Sequence, residues 1–199
     1  MSEFHNIKSV ETEDALKIKT DESLFSENFY FSDIYDESLY KKFIKNIERL
    51  VRTSREYRAY IAALRSTYSV LNHDNILINI TDNDAELEFH HYPLSLYDLI
   101  DVMVMHKIVN KKKITTFSIA EELMNLHFNN IIGLVPLSKT THELAHNGAI
   151  FISTKQVFGD YKEFINKYSD GVSVELKDKI EKLEKESTDT VRSDVNGIF

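Results

Sequence analysis

The chain has no cysteine among its 199 residues. That excludes disulfides, thiolate nucleophiles and every cysteine-ligated zinc motif. A metal here must be held by imidazole and oxygen. Tryptophan is also absent, and there are only two prolines and five glycines, too few for a glycine-rich phosphate loop. No apolar run approaches the roughly 20 residues that cross a bilayer. The most apolar stretch, DLIDVMVMHKIV at 98–109, carries two aspartates and a histidine. The first residues, MSEFHNIKSVETED, have neither the basic nor the apolar segment of a signal peptide. A soluble, cytoplasmic protein with no membrane partner is the expectation.

Eight histidines stand out against these absences, as does an uneven charge. The net charge is −8, but residues 1–38 hold ten Asp/Glu and three Lys/Arg, a net of −7. The rest of the chain, 39–199, holds 22 Asp/Glu and 21 Lys/Arg, a net of −1. The acidity belongs to the N-terminal stretch, and a local basic face on the body remains open.

Residues 1–36 show weak periodicity and many Asp, Glu and Ser, and read as an acidic arm. The aromatics of LFSENFYFSDIY are enough for it to dock. From Ser38, Leu39, Phe43, Ile47 and Leu50 share one helical face. Thr53 and Glu56 have capping-box spacing, so a second helix should begin near Ser54. Together these form a helical region at 37–72. NILINI (75–80) and AELEFHH (85–91) read as a β-hairpin. Helical stretches follow at about 95–109 and 117–128. A short strand is expected at 131–137 and a brief helix at TTHELAH, with Thr140 and Glu143 spaced as a capping box. AIFIS (149–153) looks strand-like and YKEFINKY helical. VELKDKIEKL places Leu176, Ile180 and Leu183 on one face, a possible dimer-forming helix, before a loose tail.

Two groups of histidines carry the chemistry. THELAHNG (141–148) spells H-E-x-x-H, in which two imidazoles one turn apart grip zinc and the glutamate activates water. A zinc peptidase would use His142, His146 and Glu143. Gly148 closes the helix after about two turns, however, which fits that use poorly. Upstream, EFHHYP (88–93) ends a strand in two adjacent histidines. A strand bearing two histidines, a second strand, and a short helix with two more at i and i+4 make a ββα-metal layout.

HHYP at 90–93 and GLVPLSKTTHELAHNG at 133–148 resemble the HNH endonucleases, and most closely the histidine-rich type in the DNase domains of nuclease colicins. The resemblance covers 85–148 and does not extend to the flanks. It implies that His90, His142 and His146 ligate one divalent cation (Mg, Mn, Ni or Zn) and that His91 is the general base. It also implies hydrolysis of DNA phosphodiester bonds, the ion stabilising charge on the phosphate and the leaving oxygen. Gly133 stands where the family has an asparagine, with Asn129 and Asn130 just upstream. The stretch 92–141, between His91 and His142, is longer than the family's usual loop, so 95–128 would be a helical insertion.

DNA phosphates would need cations. Arg55, Arg58 and Arg65 on the second helix and Lys111, Lys112 and Lys113 after the next are the candidates. The expected architecture is α+β, mainly helical, with a ββα-metal core at 73–160 containing the helical insertion and C-terminal helices at 161–199. The expected function is a metal-dependent HNH-type endonuclease acting on DNA, with homodimerisation through the C-terminal helix possible. The alternatives are a non-catalytic binding or regulatory protein on an HNH-like metal-binding scaffold, and the zinc peptidase.

Overall fold

The computed structural model describes residues 27–30, 34–77 and 79–196. Most of the expected acidic arm, 1–26 and 31–33, therefore lies outside the described residues. Its described part does dock. β1 (Asn28–Phe29) pairs antiparallel with β3 (Ile114–Thr115), Phe29 opposite Ile114. The Phe29 ring stacks on Phe43 with centroids 4.6 Å apart.

Helix α1 (Glu37–Thr53) starts where Asp36 accepts from the Ser38 and Leu39 N–H groups. Its buried side chains, Phe43, Ile44, Ile47 and Val51, recur at helical spacing and form one stripe. Ser54 ends α1 and begins α2 (Arg55–Thr67), its Oγ accepting from Tyr57 N at 3.0 Å. Ser54, rather than Thr53, is thus the cap. A 3-10 turn at Ser69–Asn72 follows.

Helices α3 (Leu96–Val109) and α4 (Thr116–Phe128) each open with a reciprocal capping box, Ser95 with Asp98 and Thr115 with Ser118. α3 buries Leu96, Leu99, Ile100, Val102, Met103 and Val104, which spread around much of its circumference. Such a helix belongs at the centre of a core, and α1, α3 and α4 pack together there. The stretch expected as an insertion is therefore the middle of the main core rather than an appended lobe.

Strand β2 (Leu87–His91) pairs antiparallel with β4 (Leu134–Ser138), in the register Glu88 to Leu137, His90 to Val135 and His91 to Leu134. The expected hairpin partner, 75–80, forms no strand among its described residues. The Asp74 carboxylate takes the N–H groups of Ile76 and Leu77, both at 2.8 Å, and turns the chain instead. AIFIS is likewise not a strand, although Ile152 is buried. Helices α5 (Lys139–His146), α6 (Tyr161–Lys167) and α7 (Val174–Asn196) complete the described chain. α7 runs through most of the expected loose tail. Its Ile180 is buried in the main core, so the stripe expected to form a dimer packs on its own chain.

The protein is thus mixed α/β, mainly helical, with two small antiparallel sheets. The β2–β4 pair has two covered faces. Leu87, Phe89 and His91 are buried on one side, with Phe89 in the helical core. Glu88 and His90 lie on the other, where Val135, Leu137 and Ile152 form a second small cluster with Ala145 of α5.

Candidate metal centre

Residues alternate faces along a strand, so adjacent His90 and His91 part company. His90 turns toward α5, where His142 and His146 sit one turn apart on one face. The His90 ring lies 4.9 Å from that of His142 and 4.8 Å from that of His146, centroid to centroid, and edge-on to both. One donor nitrogen from each of the three lies within 4.8 Å of the others. His90 and His142 are half-buried and His146 is exposed.

The protons follow from the hydrogen bonds. His142 Nδ1 donates to Glu88 Oε2, so in the neutral ring Nε2 carries the lone pair, facing His146 Nε2 at 3.0 Å. Glu88 sits two residues before His90 on the same strand face, and holds the His142 ring as carboxylates hold metal-bound histidines. Burial, and then the neighbouring charges of His142 and His146, lower the His90 pKa to about 4. His146 is lowered too, by burial first and then by His142 and Arg52. Both are neutral at pH 7, the form that binds metal.

Asp74 fixes the helix that carries two of the three. It is fully buried, and its Oδ2 accepts from Ser138 N and Thr141 Oγ1, each at 2.6 Å, at the start of α5. Burial alone would raise this carboxyl, but the bonds from Leu77 N–H, Thr141 and Ser138 outweigh it and hold the pKa at about 2. This anion at a helix N-terminus replaces the expected Thr140–Glu143 capping box, for Ser138 is the N-cap and makes no side-chain cap bond.

His91 is not part of the cluster. It is 4% exposed, with Nε2 3.0 Å from His127 Nε2. His127 Nδ1 donates to Leu123 O at 2.8 Å, so its Nε2 accepts and His91 Nε2 donates. Tyr57 lies near both rings. Gly133 also has a packing explanation. A Cβ there would stand 2.1 Å from Tyr92 O, so no asparagine fits. Asn129 Nδ2 donates to Asn125 O at the end of α4, and Asn130 accepts from Tyr60 OH.

The basic residues scatter. Arg65 is committed within the fold, donating to Leu87 O, lying 3.6 Å from Asp82 and resting over the Phe89 ring. Arg58 is exposed and lines a cavity of about 1040 Å³ with Arg52, Tyr57 and Arg65. Arg55 is exposed in the first turn of α2. Lys111, Lys112 and Lys113 line a separate cavity beside β1 and β3. Sequence reasoning missed Glu88 and Asp74. The alternation Glu88–Phe89–His90 was the available signal for the first; nothing local marked the second.

Residues 2–197 match the family described as Bacteriophage G278-like virion protein. Among curated proteins and among solved structures, none matches. The family match overturns the HNH endonuclease expectation, and with it the hydrolase activity. It replaces a cytoplasmic enzyme with a component of the phage particle, and leaves DNA without support as a partner. Among the described residues no helix is long and apolar enough to cross a membrane. With nearly its whole length matched, the chain belongs to the family of Bacteriophage G278-like virion proteins.

Proposed function

We propose that the protein is a non-catalytic structural component of the phage particle, working through contacts with other particle proteins, in which one divalent cation on His90, His142 and His146 pins α5 to β2–β4. The observation that carries the metal is convergence: three imidazole donors from two elements within 4.8 Å of one another. An all-imidazole set suits zinc, nickel or copper and not magnesium, which prefers oxygen. His142 would bind through Nε2, since its Nδ1 is given to Glu88.

A structural use of the ion fits the packing. α5 has eight residues, too few for a helix to persist without tertiary support. Thr141 is the residue it buries, with Ala145 partly covered. An ion tying this helix to the strand adds its binding free energy to folding. The four-histidine pattern then divides into a metal set of three and His91, which pairs instead with the buried His127.

The test is zinc content. Full-length protein given equimolar zinc and then desalted should retain one ion per chain. His90→Ala and His142→Ala should each retain almost none while keeping their helical circular dichroism. A well-folded wild type that retains no zinc, nickel or copper contradicts the proposal.

A further inference from the structure

Zinc in a structural site has four protein ligands, whereas a site with three leaves a position open, as in catalytic centres. Among the described residues the cluster supplies three donors. Glu88 is committed to His142, and Glu143 is exposed, about 100° around α5 from His142. In a structural particle component, as proposed above, the open position is left for a ligand from a partner. The rim, where His146 is exposed, is the accessible side.

The cavity of about 1040 Å³ lies between α2 and the segment 69–83. Arg52 and Tyr57 line it, and the Tyr57 ring stacks on that of His91 at 6.1 Å, so the cavity lies beside β2, the strand that also carries His90. Arg65 is already paired with Asp82. Arg52 and Arg58 are exposed and have no ion-pair partner among the described residues. Their guanidinium groups suit carboxylates, which they grip in bidentate fashion.

We propose that the open metal position and the Arg52–Arg58 groove together bind an acidic segment of a neighbouring particle protein. One carboxylate closes the zinc, and further carboxylates pair with Arg52 and Arg58. This rests on the metal site proposed above. An acidic peptide fits better than nucleic acid. Affinity for a phosphate backbone is built from many cation contacts, whereas this groove offers two free cations and is lined also by Asp82. Two or three carboxylates match it, and zinc accepts carboxylate oxygen readily.

The probe is fluorescein-labelled hexaglutamate, followed by anisotropy with full-length protein whose zinc content is measured on the same sample. Zinc-loaded protein should bind it at least about tenfold more tightly than chelator-treated protein, the factor for one lost charge-assisted contact. Arg58→Gln should weaken binding by about two- to fivefold, and Lys177→Gln, at an exposed lysine outside the groove, should not. Equal binding without zinc overturns the proposal, as does an unaltered affinity in Arg58→Gln. Preference for hexathymidylate over hexaglutamate overturns it in favour of nucleic acid. Zinc-loaded protein that ignores hexaglutamate refutes the acidic segment but leaves the metal site standing, whereas well-folded protein that retains no zinc, nickel or copper refutes both.

Discussion

Adjacent in sequence, His90 and His91 face opposite sides of β2, and burial gives them different chemistry. His90 meets two exposed-side imidazoles; His91 meets His127 inside the helical core. The adjacency and the strand assignment made this division legible, since strand residues alternate. His127 was the histidine least readable from sequence, because its only signal was helical periodicity in a stretch of apolar residues. Burial lowers its pKa to about 4, against the lesser opposing effect of its bond to Leu123 O. An unfolded histidine titrates near 6.5, so between about pH 6.5 and 4 the unfolded chain binds more protons. Stability from neutral His127 is fully present above about pH 6.5 and is lost as the pH falls through about 4. The loss should be on the order of 3 kcal/mol. Urea unfolding at pH 7, 6, 5 and 4 should show it, with a shallower decline in His127→Gln, whose amide oxygen can still accept from His91. A wild type equally stable at pH 7 and 5 would refute the buried neutral pair.

At the scale of elements, the helices were readable because their caps and apolar stripes are local. Ser54, Ser95 and Thr115 each mark a start within three residues of the group they satisfy. Strand pairing was not. NILINI has the composition of a strand, but a single buried carboxylate, Asp74, draws its N–H groups into a turn and caps α5 far along the chain. β2 then finds β4, with Gly133 letting the backbone at Tyr92 approach closely. Long-range hydrogen bonds of this kind leave no periodic trace. Asp74→Asn presents an N–H₂ or a weaker acceptor where four donors now converge, and should cost about 2–4 kcal/mol. It should also weaken zinc binding, because the start of the helix carrying His142 and His146 loosens. A urea midpoint indistinguishable from that of wild type would show that Asp74 does not secure α5.

Across the whole molecule, a local likeness misled while local geometry held. The stretch 85–148 contains two paired strands, a short helix and three converging histidines, the features the sequence suggested. The order of histidines constrains their geometry and not their use, and a fold does not dictate function. The family match over 2–197 assigns the chain to virion proteins. The three imidazoles still converge, and the role proposed for them is mechanical. Zinc at about 100 times its dissociation constant adds about 2.7 kcal/mol to a protein that binds it only when folded. For a chain of this length that raises the unfolding midpoint by roughly 5–10 °C. The most direct test is the thermal unfolding of full-length protein in excess zinc and in excess chelator, beside His142→Ala. A wild type several degrees more stable with zinc, and a variant indifferent to it, is the predicted result. Wild-type midpoints that coincide in zinc and in chelator would contradict the metal-pinned strand and helix.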